Sequence, residues 1–133
     1  MNPPPADASL NRMEAAEYHK LAEVEDRMWY FSALHGHVER ALQAGIAPQL
    51  AAAPGPGGRM PAPGAGCLRL LDAGCGTGGL MRRLSTHHVD WQWVGVDRDP
   101  LACEFARERA PGCEVRQASV TALPFGPGSF GGI

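Results

Sequence analysis

The stretch LLDAGCGTGGL, at residues 70–80, holds the residues of this chain that are best suited to binding a cofactor. Gly74, Gly76 and Gly79 follow the G-x-G-x-x-G spacing, in which glycines permit a tight turn and close approach of a ligand to main-chain N–H groups. Asp97 lies about twenty residues further on, after the next apolar run, where a carboxylate can accept hydrogen bonds from ribose hydroxyls. The pattern predicts a site for a nucleotide-like cofactor.

Asp72 precedes the first of these glycines by two residues and bears on the class of cofactor. A dinucleotide contains a negatively charged pyrophosphate, which a carboxylate directly ahead of the turn would repel. A cofactor with a cationic amino group would instead be attracted, directly or through a water molecule. Asp72 therefore favours a cationic cofactor, whereas the glycine spacing alone leaves a nicotinamide or flavin dinucleotide open.

The segments around the glycine stretch indicate an α/β domain. From residue 67 onward, short apolar runs alternate with helix-like stretches in the order CLRLLDAG, TGGLMRRLSTHH, WQWVGVD, PLACEFARERA and CEVRQAS. This β-α-β-α-β order predicts a parallel sheet with right-handed crossovers. Asp99 is the predicted N-cap of the second crossover helix, and Leu101 and Phe105 are predicted to face the sheet.

Three segments of different composition precede this alternation. The first contains three consecutive prolines, the second has apolar residues at three- and four-residue steps, and the third is rich in proline and glycine. The helical pattern predicts a stop at Gly45 and permits a break into two helices near Glu25 and Asp26. The predicted organisation is a disordered leader at residues 1–9, a helical segment at 10–45, a Pro/Gly-rich linker at 46–66 and the α/β domain at 67–133.

Composition and charge argue against several classes of partner. The formal net charge is −2, and residues 67–133 contain seven Lys and Arg against seven Asp and Glu, which leaves no basic face for nucleic acid. No run approaches the roughly twenty apolar residues that a membrane span needs. The four cysteines form no C-x-x-C pair, and the N-terminus has no secretory pattern. We expect a cytoplasmic protein with reduced thiols and no nucleic-acid or membrane partner.

Three stretches, taken in order, resemble one known family. LLDAGCGTGGL is similar to motif I of class I S-adenosylmethionine-dependent methyltransferases, WVGVDRDP at residues 93–100 to their second motif, and QASVTALPFGPGSF at 117–130 to the loop after their third strand. The A-L-P-F core of that loop is characteristic of the branch that methylates small molecules. The resemblance implies a Rossmann-like class I methyltransferase fold, S-adenosyl-L-methionine as the cofactor and a small-molecule methyl acceptor.

The resemblance also implies roles for individual residues. Asp97 would hold the ribose. Ser119 stands where the family usually has an Asp that contacts the adenine amino group, and the Val120 N–H would reach the adenine ring. The predicted cofactor-binding residues are Asp72, Gly74, Cys75, Gly76, Gly78, Asp97, Arg98, Ser119 and Val120. We expect the Cys75 side chain to be present for its size, with only its main chain at the cofactor.

The stretch EDRMWYFSALHGHVERAL, at residues 25–42, resembles the aromatic-rich helix that precedes motif I in many of these enzymes. Trp29, Tyr30 and His35 are therefore candidates for a lid over the cofactor. The alternative is that Trp29 and Phe31 pack in the core.

The helix after the glycine turn carries charged residues for which we expect structural roles. His87, His88 and Asp90 are predicted at a solvated helix end and not as metal ligands, since adjacent side chains diverge there. Arg82 and Arg83 are predicted on an exposed face. No metal site and no catalytic residue are assigned.

The resemblance covers residues 67–133 and, loosely, 10–45, which corresponds to about the first half of a catalytic domain. In the family the strand order is 3-2-1-4-5-7-6, and the acceptor pocket comes largely from the fourth strand onward. We therefore expect an incomplete fold in which the first strand has an unpaired edge, and a chain that is a fragment or a truncated product. Gly131 also stands where the family usually has Asp. The leading hypothesis is the cofactor-binding half of a small-molecule methyltransferase; a truncated non-catalytic module is the alternative, and an NAD-dependent oxidoreductase is third.

Overall fold

A computed structural model describes residues 13–51 and 68–133, with only the backbone described for residues 47–51. The predicted leader at 1–9 and most of the predicted linker lie outside the described residues. The secondary structure consists of α1 (Ala15–Arg27), α2 (Trp29–Ala51), β1 (Leu68–Ala73), α3 (Gly79–His87), β2 (Trp91–Asp97), α4 (Pro100–Arg109) and β3 (Glu114–Gln117). None of the helices in residues 13–51 and 68–133 combines the length and the hydrophobicity that a membrane-spanning helix requires.

The three strands form a parallel sheet with β2 in the middle. β1 pairs with β2 from Leu68 opposite Trp91, and β2 pairs with β3 from Val94 opposite Glu114. The predicted β-α-β-α-β order is confirmed. Because the strands are parallel, their carboxyl ends lie at one edge of the sheet, which brings the glycine turn after β1 next to the end of β2.

The outer edge of β1 is paired with two glycines from the last described segment. The Gly131 N–H donates to the Arg69 carbonyl oxygen at 2.8 Å, and the Leu71 N–H donates to the Gly132 carbonyl oxygen at 3.0 Å. A Cβ on Gly132 would lie 2.9 Å from a methyl carbon of Leu70. The expectation of an unpaired edge on the first strand is wrong at these positions, because residues without side chains bring a backbone close enough to pair.

Hydrophobic residues cover both faces of the sheet. On one face, α2, α3 and α4 pack around Ile46, Leu70, Cys75, Met81, Leu84, Trp91, Trp93, Cys103, Ala106, Ala110 and Val115. On the other face, the segment after β3 contributes Ala118, Leu123, Phe125 and Phe130, which pack on Leu71, Val94 and Val96. The helices that precede and follow the glycine turn thus share one core.

α1 packs against α4 through an aromatic contact. The ring centroids of Tyr18 and Phe105 are 5.7 Å apart, and Leu101 packs on the same cluster. The prediction that Leu101 and Phe105 face the sheet is wrong, because Cys103 and Ala106 occupy the sheet-facing core. The small side chains let α4 lie close to the sheet, and its larger apolar residues are covered by α1 instead.

The N-terminal helical segment is divided at Met28, close to the predicted break. Met28 has extended backbone with ψ of 129°, so α1 and α2 are separate helices. α2 continues through Gly45 to Ala51, so the predicted stop at Gly45 is wrong and the helix enters the segment predicted as linker. Gly45 does not adopt a left-handed φ, and Ile46 is buried in the core. Packing of the helix on the sheet outweighs the weak helix preference of one glycine.

Replacing Gly45 by alanine tests this helix end. We expect Gly45→Ala to raise the free energy of unfolding by about 0.5–1 kcal/mol, because alanine is the better helix former and a Cβ at Gly45 would meet nothing within 4 Å. Gly128→Ala is the matched control, since the surroundings of Gly128 are also open but its φ is +72°. This variant should lower the free energy of unfolding by about 1 kcal/mol, because alanine is strained at a positive φ. Urea unfolding followed by circular dichroism measures both. Destabilisation by Gly45→Ala would contradict a continuous α2.

Candidate functional site

The turn between β1 and α3 is built from glycines with left-handed backbone. Gly74, Gly76 and Gly78 have φ of +90°, +51° and +77°, values that residues with a Cβ rarely adopt. A Cβ on Gly74 or Gly76 would meet nothing within 4 Å, whereas a Cβ on Gly78 would lie 2.9 Å from the Ala106 Cα of α4. The first two glycines leave open space beside the turn, and Gly78 permits close packing of α4.

Gly79, the third glycine of the G-x-G-x-x-G spacing, has a different role. A Cβ at this position would lie 2.6 Å from Oε2 of Glu25 on α1. Its missing side chain therefore makes room for α1. The packing of α1 therefore explains why a glycine stands at the third position of the G-x-G-x-x-G spacing.

Asp97 ends β2 and contacts the turn directly. Its Oδ2 accepts a hydrogen bond from the Gly76 N–H at 3.0 Å, and its Oδ1 accepts one from the Asp99 N–H at 2.9 Å. A carboxylate oxygen can accept more than one hydrogen bond, so Asp97 retains acceptor capacity for hydroxyl groups. Arg98, the next residue, is exposed, and its carbonyl oxygen accepts a hydrogen bond from Gln117 Nε2 at 3.1 Å.

The predicted cap of α4 lies beside Asp97 and is confirmed. Oδ1 of Asp99 accepts a hydrogen bond from the Leu101 N–H at 2.9 Å, and Pro100 occupies the first turn of the helix. The cap orients the segment that follows β2 and holds the Asp99 N–H within reach of Asp97.

The Asp72 carboxylate lies near the end of β1 and is partly buried. No described residue donates a hydrogen bond to it. Burial, and then the negative charges of Glu25 and Asp97, raise the pKa of Asp72 to about 6. A buried carboxylate without a partner is unfavourable until an opposite charge compensates it. The site therefore suits a cationic group, which would lower this pKa.

A mainly apolar cavity of about 300 Å³ adjoins Asp72. Asp72 is the only ionisable side chain among the described residues that line it, which also include Val38, Leu42, Leu70, Leu71, Ala73, Leu80, Trp93, Gly132 and Ile133. The Trp93 Nε1 is buried and has no hydrogen-bond partner among the described residues. The cavity leaves room for a small group next to the carboxylate.

Cys75 is a packing residue of the turn. Its N–H donates to the Val96 carbonyl oxygen at 2.9 Å, and its Sγ lies 2.9 Å from where a Cβ on Gly95 would be. Burial, and then the charges of Asp72 and Asp97, raise the pKa of the Cys75 thiol to about 12. The thiol therefore stays protonated near neutral pH and is a poor nucleophile.

The residues predicted to contact adenine lie on an exposed loop beside the end of β2. The Ala118 N–H donates to the Asp97 carbonyl oxygen at 2.9 Å, which brings Ser119 to the same edge of the sheet. Ser119 Oγ accepts a hydrogen bond from the Thr121 N–H at 3.2 Å, and Val120 is 56% exposed. The hydroxyl of Ser119 is thus engaged within its own loop, and the contact with adenine stays a prediction.

A buried polar cluster on the other side of the turn has no signature in the sequence. Thr77, which is fully buried, donates from its hydroxyl to the Glu25 carboxylate of α1. Arg109 of α4 places Nη1 2.7 Å from Glu25 Oε2 and 3.0 Å from the Thr77 carbonyl oxygen. Thr77 is separated in the chain from Glu25 by 52 positions and from Arg109 by 32, so no local spacing could have indicated the cluster.

The candidate lid residues on α2 differ in their exposure. Trp29 is 77% exposed and Tyr30 is 51% exposed, whereas His35 is 8% exposed. The alternative that Trp29 packs in the core is wrong, while Phe31 is half-buried. Burial lowers the pKa of His35 although the charge of Glu25 opposes this, so His35 is neutral near pH 7. A lid formed by these residues stays a prediction.

The charged residues of α3 bind the N-terminal helices. Arg83 Nη1 donates to Ser32 Oγ at 3.0 Å, and His88 Nε2 lies 2.7 Å from Glu39 Oε1. The prediction of solvated side chains is wrong for His88, because α2 covers this end of α3. No group of three or more His, Cys, Asp or Glu in the described part of the chain is arranged to hold a metal ion.

Residues 70–133 match a protein family described as a methyltransferase domain. The match begins at β1 and includes the glycine turn, Asp97 and the loop after β3. The resemblance indicated by the three sequence stretches is therefore confirmed. A search of curated proteins found no match to the chain.

A solved structure of DszA carbon methyltransferase is similar in fold to this chain. The TM-score is 0.53 at 14% sequence identity, and the alignment covers 77% of this chain and 26% of that one. The chain thus has part of a methyltransferase fold, an α/β fold with a parallel three-stranded sheet preceded by helices.

Two structures of geranyl diphosphate methyltransferases also match. One, in complex with GPP and sinefungin, has 27% identity and a TM-score of 0.41, and the alignment covers 45% of this chain and 24% of that one. The other, from Streptomyces coelicolor A3(2), has 24% identity and a TM-score of 0.40, with coverage of 92% and 40%. The chain spans less than half the length of each of these structures.

Asp72→Asn should stabilise the unliganded chain above pH 6 by on the order of 2 kcal/mol. The pKa of Asp72 rises from 3.8 to about 6 on folding, so the folded chain binds a proton that the unfolded chain releases. The stability that Asp72 contributes therefore falls as the pH rises through this window and stays low above it, whereas Asn has no such loss.

Urea unfolding at pH 4 and at pH 8 measures this effect. The stabilisation by Asp72→Asn should be largest at pH 8 and small at pH 4, while Glu104→Gln, which removes an exposed carboxylate of α4, should change little at either pH. An equal effect of Asp72→Asn at both pH values would show that charge is not its cause.

Proposed function

We propose that this chain binds S-adenosyl-L-methionine at the turn between β1 and α3, as the cofactor-binding half of an enzyme that methylates a small molecule. The observation that carries the proposal is the partly buried Asp72 carboxylate, to which no described residue donates a hydrogen bond. S-adenosyl-L-methionine carries an ammonium and a sulfonium group and no phosphate. A dinucleotide would bring a pyrophosphate toward Asp72, Asp97 and Glu25, and like charges would oppose its binding.

The residues around the turn fit the parts of this cofactor. Asp72 would bind the ammonium group, and the remaining lone pairs of Asp97 would accept hydrogen bonds from the ribose hydroxyls. Gly74 and Gly76 have open space where side chains would be, which permits close approach to the backbone. Cys75 and Gly78 complete the proposed turn, and Arg98 follows Asp97 at the end of β2. Ser119 and Val120 are the proposed contacts to the adenine.

When bound, the cofactor supplies a methyl group that is activated by attachment to a positively charged sulfur. The task of the chain is to hold this group in one position, so that an acceptor nucleophile can be aligned with it and water excluded. A general base is needed only where the acceptor must first lose a proton, and we assign none. The resemblance of the A-L-P-F loop at residues 122–125 to the small-molecule branch supports a small-molecule acceptor.

A non-catalytic methyltransferase-like module is a second candidate, and Gly131 favours it. This glycine stands where the family usually has Asp, and it packs on β1 through its N–H and the Arg69 carbonyl oxygen. A Cβ at Gly131 would lie 2.6 Å from Leu68 Cδ1. Such a module would keep the fold and the turn but would transfer no methyl group.

Calorimetric titration of S-adenosyl-L-methionine into the chain tests the proposed binding. We expect Asp72→Asn to weaken binding by about 10- to 100-fold at pH 8, since a hydrogen bond to a charged group is worth about 1.5–3 kcal/mol. Glu104→Gln is the control at an exposed carboxylate and should leave affinity unchanged. NADH should not bind. Tight NADH binding, together with unchanged S-adenosyl-L-methionine affinity in Asp72→Asn, would disprove the proposal.

A further inference from the structure

Thr77, in the middle of the glycine turn, is held by side chains from two helices. Its hydroxyl donates to the carboxylate of Glu25 and lies 2.7 Å from Arg109 Nη1. Arg109 Nη1 also lies 2.7 Å from Glu25 Oε2. Thr77 is fully buried, and the side chains of Glu25 and Arg109 are each 13% exposed. Charge-assisted hydrogen bonds at a shielded position are stronger than those at an exposed surface.

The residues on either side of Thr77 are glycines of the turn, and the space beside Gly76 is open. The Gly76 N–H donates to Asp97, and Gly78 is the N-cap residue of α3. Because both glycines have left-handed backbone, the turn has few steric restraints of its own. The contacts of Thr77 with Glu25 therefore supply a restraint that the glycines lack.

Further hydrogen bonds join the cluster of Thr77, Glu25 and Arg109 to other residues of α1 and to α3. Arg109 Nη2 donates to the Ala22 carbonyl oxygen at 3.3 Å and to Asp26 Oδ1 at 2.8 Å. Arg82 Nη1 donates to Asp26 Oδ2 at 2.7 Å. Although burial opposes it, the guanidinium groups of Arg82 and Arg109 hold the pKa of Asp26 below its usual value. Hydrogen bonds of Thr77 thus connect the turn to α1 and α4, and ion pairs connect these helices to each other and to α3.

We propose that Glu25 is a positioning residue for the cofactor, which through Thr77 holds the glycine turn in its binding conformation and makes α1 and the turn one structural unit. The link to the cofactor rests on the proposed function. The link between Glu25 and the turn stands on the contacts in the unliganded chain.

Glu25 also acts on Asp72 through its charge. The charges that act on Asp72 are the Glu25 and Asp97 carboxylates, which raise its pKa. Asp72 in turn raises the pKa of the neighbouring thiols of Cys75 and Cys113, in each case after burial. The charged or titratable groups around Glu25 come from three elements packed against it. They are Arg109 of α4, Arg82, Arg83 and His87 of α3, and Asp26 and His35 of the N-terminal helices. Removing the Glu25 charge should therefore lower the pKa of Asp72 and extend cofactor binding to lower pH.

Amide hydrogen exchange in the unliganded chain tests the restraint directly. The readout is the Gly76 and Gly78 amides, which donate hydrogen bonds to Asp97 and to the Cys75 carbonyl oxygen. We expect Glu25→Gln and Thr77→Val to speed their exchange at least tenfold. Thr77→Ser, which keeps the hydroxyl, should stay close to the original rate.

Glu23→Gln is the matched control, because Glu23 lies on the same helix but its side chain is 64% exposed and pairs only with Arg27 among the described residues. Circular dichroism and thermal melting show whether each variant is folded. Unchanged exchange at Gly76 and Gly78 in folded Glu25→Gln and Thr77→Val would overturn the proposal.

Calorimetric binding of S-adenosylhomocysteine between pH 5 and pH 8 tests the link to the cofactor. Glu25→Gln should weaken binding at least tenfold at pH 8 and move the acidic midpoint of the affinity profile to lower pH. An affinity loss of the same size at every pH is what general destabilisation gives, and it would overturn the positioning role. If the unaltered chain binds neither S-adenosylhomocysteine nor S-adenosyl-L-methionine while the exchange effects are present, the proposed function fails and the restraint on the turn stands.

Discussion

The hydrogen bond from the Gly76 N–H to the Asp97 carboxylate joins the turn after β1 to the end of β2, and the candidate site depends on it. It requires left-handed backbone at Gly76 and two adjacent parallel strands that end at the same edge. A hydrogen bond to a charged group of this kind contributes about 1.5–3 kcal/mol. With the turn held against β2, Asp72 and Asp97 lie at one edge of the sheet and can act on one ligand.

The concentration of negative charge around the turn is unfavourable in the unliganded chain. Arg109 compensates Glu25, but the described residues provide no partner for Asp72, whose pKa is raised by burial and by the neighbouring carboxylates. Functional sites commonly keep such groups because a ligand of opposite charge satisfies them. The same feature thus lowers the stability of the free chain and favours binding of a cation.

The two N-terminal helices pack against the elements that form the candidate site. α1 reaches the turn through Glu25, and Gly79 has no side chain where the Glu25 carboxylate lies. α2 packs on the sheet beside α3 and extends past Gly45 because Ile46 is buried in the shared core. The turn is therefore enclosed by helices on one side and by β2 on the other, which leaves the space beside Gly74 and Gly76 as its open face.

Local periodicity and motifs of contiguous residues are sufficient to predict the β-α-β-α-β order, the glycine turn, the cap at Asp99 and the resemblance to methyltransferases. The contacts of Thr77 with Glu25 and Arg109, the room that Gly79 leaves for α1 and the packing of Phe105 on Tyr18 depend on tertiary packing. Periodicity shows which side of a helix is apolar but not which element that side meets. Contacts between residues 52 or 84 positions apart form only when the helices and the sheet pack together.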